Sequence, residues 1–180
     1  MHQAKDYKQQ KWTVDVHIGM EPKMRNHTEL CKNSETARKL IVVDIENAVG
    51  LSAVSERECQ MVKSRIEQVY KPNAGDLIVI GVSHSNNVFP ASSWNGARIK
   101  FRTGHNGADL ALEEVLSNEN VESRFSEVVI VSGDGLFAKQ AARLKSLGVK
   151  VTVDSRPSQL SRLLARNCSS IQLAPSAFVA

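Results

Sequence analysis

Three aspartates stand where chemistry could be done. Asp44 directly follows the apolar run Leu40-Ile41-Val42-Val43, and Asp109 follows Gly107-Ala108. Asp134 lies in Ser132-Gly133-Asp134-Gly135, just after the run Val128-Val129-Ile130-Val131. Carboxylates brought to about 5 Å apart repel by roughly 3 kcal/mol per pair at an effective dielectric near 20. Three such pairs rival the stability of a whole domain. A cluster of this kind must take up protons, spread apart or bind a cation. Its oxygen-only donors suit Mg²⁺ or Mn²⁺. An ion so held can position a water and offset the charge of an in-line phosphodiester displacement. Each acid also has an ordinary reading. Asp109 and Asp134 occupy places typical of helix N-caps, where Asp is favoured.

Neutral and basic groups surround these acids. Asn47 and Ser132 could hold a metal-bound water or a phosphate oxygen, or serve local turns with equal ease. Arg98, Lys100 and Arg102 alternate and so share one face of a strand, with His105 close behind. That row could lead a phosphate backbone towards the acids, although edge strands also carry such charges against aggregation. His84 ends a second apolar run and is a candidate substrate contact. Trp94 could stack on a base or close the core. Arg156, Arg162 and Arg166 form either a second basic patch or a solvated helix face. Asp154 is read mainly as a turn or cap residue.

Elements must bring these residues together. Short β-branched runs at 40–43, 77–82, 128–131, 149–153 and, more weakly, 171–173 suit strands buried on both faces. The stretch 97–101 reads as an edge strand. Between the runs, 3.6-residue spacing predicts helices over 52–70, 108–116, 136–147 and 157–165, the last with Pro157 near its first turn. Alternating strands and helices imply right-handed βαβ units and a mostly parallel sheet. The expected fold is therefore α/β, a Rossmann-like three-layer α/β/α sandwich. In such a sheet, sites form beyond the carboxyl ends of the strands. The acids follow strands at that end.

Bulk properties set limits. The 180 residues allow one domain over 40–175, with a flexible or partly ordered leader at 1–39 and a short tail at 176–180. The leader is polar, and only Trp12 to Ile18 alternates as a short strand would. It carries eight Lys and Arg against five Asp and Glu, so it holds most of the net charge of +4. The body is nearly neutral, and nucleic-acid contact there requires a local patch. Three distant cysteines, Cys31, Cys59 and Cys168, argue against a disulfide framework or a zinc site. No apolar run reaches membrane-spanning length, and no signal-peptide core is present. The expected setting is the cytoplasm, with a homo-oligomer left open.

The segments Ile41 to Asn47, Gly107 to Leu112 and Val128 to Gly135 resemble, in order and separation, the NYN domains of the PIN-like nuclease superfamily. Leu147 to Val153 and Ser158-Gln159-Leu160 also fit, so the resemblance spans about residues 40–175. It implies a PIN-like fold and metal-dependent endoribonuclease action, with Asp44, Asp109 and Asp134 as catalytic metal ligands and RNA as partner. The family's Asn falls on Asn47. Leu136 stands where many members carry a further Asp, and Asn167 where some carry a late one. Glu46 or Asp154 could supply the missing oxygen. A site with fewer carboxylates also suits the alternative reading, a catalytically weak or inactive module of the same fold that binds RNA or protein.

Overall fold

The computed structural model describes residues 37–175. Every apolar run becomes a strand: β1 (Lys39–Asp44), β2 (Leu77–Val82), β3 (Arg98–Phe101), β4 (Glu127–Val131), β5 (Lys150–Ser155) and β6 (Ser170–Leu173). All pair in parallel, in the order β3-β2-β1-β4-β5-β6. The predicted leader, its strand-like stretch and the tail at 176–180 lie outside the described residues, apart from the last residues of the leader.

Helices cover both faces. On one side lie α1 (Ile45–Val49), α2 (Glu56–Tyr70) and α3 (Val88–Ser92). They pack Ile45, Val62, Ile66 and Trp94 against Ile41, Val43 and Ile80. On the other side lie α4 (Gly107–Asn118), α5 (Val121–Arg124), α6 (Ala138–Ser146) and α7 (Arg162–Asn167). They pack Leu112, Leu116, Leu144 and Leu164 against Leu40, Val42, Ile130 and Val153. Strand residues therefore alternate between two cores, which explains why the runs are apolar throughout. This is a Rossmann-like α/β/α sandwich.

Three helix boundaries differ from the expectations. The stretch 52–70 starts late because Ser55 makes a capping box with Glu58, leaving Glu56 as the first helical residue. The stretch 136–147 opens with a 3₁₀ turn, Gly135–Phe137, before α6 begins. Pro157 does not begin a helix. It lies in a turn in which the Gln159 N–H donates to the Arg156 carbonyl, and Ser161 caps α7 through the Leu163 N–H. No helix among the described residues is long and apolar enough to cross a membrane.

Candidate functional site

The strand order reverses at β1. Chain growth runs from β1 outward to β3, then α4 crosses the opposite face and β4 forms against the other side of β1. A crevice opens at such a switch point, beyond the carboxyl ends of the strands. Asp44 ends β1, Asp109 sits in the first turn of the returning α4, and Ser132 to Asp134 follow β4. Two close approaches seat α4. A Cβ on Gly81 would lie 2.7 Å from Leu112 Cγ, and one on Gly107 would lie 1.9 Å from the Arg102 carbonyl oxygen. Glycine at both positions lets the first turn of α4 reach the end of β1.

Asp44 and Asp109 are both buried, and their carboxyl groups lie close enough to influence each other's titration. Burial, and then the charge of Asp109, push Asp44 well above the usual carboxylate range, against the Asn47 N–H that donates to it at 3.1 Å. Burial also raises Asp109. The approach of Asp44 works the other way, and the charge of Asp134 adds to the rise. The Asp109 Oδ1 atom is buried without a hydrogen-bond partner. Asp109 is the third residue of α4 and does not cap it, whereas Asp44 caps α1.

A solvent-open cleft of about 570 Å³ lies over this pair, lined by Asp44, Glu46, Asn47, His84, His105 and Asp109 among others. Glu46 is the residue that sequence reasoning undervalued. Its carboxylate accepts the backbone N–H groups of Ser83 and His84 at 3.0 and 3.1 Å, the Ser83 hydroxyl and the Asn87 amide. His84 Nδ1 lies 3.1 Å from the same carboxylate. Burial disfavours the Glu46 charge, but the hydrogen bonds from Ser83, Asn87 and His84 outweigh it and hold the group below its ordinary range. The available signal was position: Glu46 lies in the first turn after a buried strand, two residues from Asp44.

The other expected residues divide. His84 and His105 are exposed and line the cleft. Asn47 lines it too, but its Oδ1 accepts the Gly133 N–H at 3.0 Å. Ser132 is buried; its hydroxyl lies 3.5 Å from Asp44 and accepts the Asp134 N–H. Both therefore brace the loop after β4. The Gly133 and Asp134 N–H groups are not offered to a ligand, because they donate to Asn47 and Ser132. Asp134 is half-buried and accepts the Leu136 N–H at 2.8 Å, the capping role.

Several expectations are corrected. Trp94 is only 2% exposed and closes the α2–α3 core, so it has no face free for a base. Arg98 is paired with Glu119 at 2.7 Å, where burial opposes the Glu119 charge but Arg98 outweighs it. The row Arg98, Lys100 and Arg102 is thus not an uninterrupted phosphate track: Arg98 is neutralised, Lys100 is half-buried in β3, and Arg102 is exposed beyond it. Asp154 is neither turn nor cap. It is buried within β5, ion-paired to Arg65, and accepts the Tyr70 hydroxyl at 2.7 Å. It cannot supply an oxygen to the cleft. Arg156 donates to the Asn47 carbonyl at 3.0 Å and so fastens α1 rather than forming a patch with Arg162 and Arg166. Among the described residues, no three His, Cys, Asp or Glu side chains form a group that could hold an ion as they stand.

No family model matches the sequence, and no curated protein matches it significantly. Solved structures do. A Vibrio parahaemolyticus protein of unknown function superposes with a TM-score of 0.53 at 16% identity, over 79% of this chain and 96% of its own. A Leishmania major protein that carries the provisional name Mar1 ribonuclease gives 0.41 at 14% identity, over 77% and 79%. A pyrazinamidase/nicotinamidase from Streptococcus mutans gives 0.30 at 16% identity, over 73% and 91%. At such identities the first likeness shows the shared α/β fold, and the other two are too distant to add to it.

Proposed function

We propose that this chain is a Mg²⁺- or Mn²⁺-dependent endoribonuclease acting at the cleft over Asp44 and Asp109. The observation that supports it most is the buried carboxyl pair at the switch point, opening onto a solvent-filled cleft. The donors suit a small hard cation. Asp109 keeps a buried oxygen without a partner, and both acids are raised, as uncompensated carboxylates must be. A cation of this class takes one or two carboxylates and keeps several waters. Asp44 and Asp109 would hold it, and Asp134 would add negative charge from behind. When bound, the ion supplies an activated water and charge compensation at the phosphate.

The chain's own groups do the rest. Glu46 orients His84 on the rim, and His84 and His105 would contact the phosphate. Lys100 and Arg102 would attract the backbone at longer range. RNA as the substrate rests on the resemblance to NYN domains. One observation favours the second reading, an RNA-binding module with little or no catalysis: Asp134 spends a carboxylate oxygen on the Leu136 N–H, and Leu136 brings no carboxylate.

Cleavage of end-labelled single-stranded RNA in Mn²⁺ and in EDTA tests the proposal. Asp44→Asn and Asp109→Asn should each lower the Mn²⁺-dependent rate by about two orders of magnitude, the several kcal/mol a metal contributes. Equal cleavage by Asp44→Asn, or none by the unaltered chain in Mn²⁺, would reject it. RNA binding in Mn²⁺ without cleavage would support the module instead.

A further inference from the structure

The two edges of the sheet are treated differently. β3 carries Arg98 and Lys100, charges that discourage another strand from adding. β6 is Ser170-Ile171-Gln172-Leu173, with no charge and no proline, and no described residue pairs with its outer side. Ile171 and Leu173 are 44% and 53% exposed, and Leu163 on neighbouring α7 is 58% exposed. Ile171 registers with Val153 and Leu173 with Ser155, so both side chains point to the α6–α7 face of the sheet. The edge therefore presents unpaired backbone together with an apolar strip on one known face.

We infer that the segment Trp12–Ile18 of this same chain adds to β6 as a seventh, antiparallel strand. Its sequence supplies what the edge lacks. Trp12, Val14, Val16 and Ile18 alternate with Thr13, Asp15 and His17, giving one apolar and one polar face. The apolar face would lie beside Ile171, Leu173 and Leu163. The connection reaches easily. Residues 19–36 can span up to roughly 60 Å, whereas a strand beyond β6 would lie four strand spacings from β1, about 19 Å. An antiparallel strand on β6 ends at the edge of the sheet where β1 begins, which makes that direction the shorter path. An antiparallel edge strand on a parallel sheet is a common arrangement.

Hydrogen exchange on the full chain tests this. Ala174 N–H donates inward to the Ser155 carbonyl, and the Val153 carbonyl between Val151 and Ser155 faces Gln172, so the alternation along the strand points the Ile171 and Leu173 amides outward. They should exchange at least about tenfold slower than exposed loop amides. The double substitution Val14→Asp, Val16→Asp should abolish that protection at every protein concentration while leaving the β1 and β4 amides protected. Free exchange of Ile171 and Leu173 in the unaltered chain would overturn the inference. So would protection that survives the double substitution, including protection that rises with protein concentration, which would mark a second copy on this edge.

Discussion

Asp44 and Asp109 face each other closely enough to shift each other's titration, although one ends a strand and the other lies in the first turn of a helix on the far side of the chain reversal. Two buried carboxylates so close repel when both are charged, which favours the protonated form of the pair. Both acids are raised in the folded state, foremost by burial. A raised folded pKa contributes stability that is complete below the unfolded value, near 4, and lost as pH climbs through the folded value. In EDTA the protein should therefore lose stability from mildly acidic pH upward. Asp44→Asn removes one charge and keeps the shape. It should raise the metal-free melting temperature at pH 7.5, at about 2–4 °C for each kcal/mol recovered, and flatten the pH dependence. A lower melting temperature for Asp44→Asn in EDTA would contradict this account.

Mn²⁺ should do the opposite to the two forms. An ion at about one hundred times its dissociation constant stabilises its protein by about 2.7 kcal/mol. The unaltered chain should melt several degrees higher with Mn²⁺ than in EDTA, and more so at higher pH, where protons compete less for the carboxylates. Asp44→Asn and Asp109→Asn should show little response. Differential scanning fluorimetry over a Mn²⁺ titration reads this directly. An undiminished response in both variants would move the ion elsewhere.

Much of this was legible beforehand, for identifiable reasons. Strands buried on both faces read as unbroken β-branched runs, and β1, β2, β4 and β5 follow that rule. The switch point then assigns Asp44, Asp109 and Asp134 to one end. Pairing across long separations was not legible. Arg98 finds Glu119 and Arg65 finds Asp154 only through the fold, so a basic row and a turn acid were misread. Trp94 lies in a polar loop whose composition does not reveal that the ring turns inward. Pro157 looked like a first helical turn, but Ser161 offers the cap.

Glu46 should behave differently from Asp44. Its carboxylate accepts two backbone N–H groups, a hydroxyl and an amide, so a neutral amide in its place turns one acceptor into a donor facing donors. Glu46→Gln should lower stability by about 1–3 kcal/mol. Its folded pKa is lowered, so the stability it contributes is present above the unfolded value, near 4.3, and lost as pH falls through the folded one. Opposite signs for Asp44→Asn and Glu46→Gln in EDTA at neutral pH would separate the two roles. Matching signs would refute the separation.

Asp154 is buried with Arg65 and Tyr70 on the α2 side of the sheet. Removing one partner of a buried pair typically costs 3–5 kcal/mol. Asp154→Asn should therefore lose about that much on urea denaturation. Tyr70→Phe should lose about 1 kcal/mol, one hydrogen bond. Neither should change the Mn²⁺ response, because Asp154 does not line the cleft. A loss of Mn²⁺ binding in a folded Asp154→Asn variant would show that this acid reaches the site after all.

Gly81 links packing to the site without touching the chemistry. It lies in β2 beside Asp44 in the sheet register, and α4 rests on it through Leu112. A methyl group there would lie 2.7 Å from Leu112 Cγ and 2.9 Å from the Ala108 carbonyl oxygen. The side chain can yield, but the carbonyl belongs to the first turn of α4, next to Asp109. The helix must therefore move, at about 1–3 kcal/mol for such overpacking. Asp109 would move with it, away from Asp44. Gly81→Ala should fold, melt lower, and weaken Mn²⁺ stabilisation by more than its own destabilisation explains. Calorimetric titration of the folded variant with Mn²⁺ decides the matter, since an unchanged affinity would mean that α4 does not set the separation of the two acids.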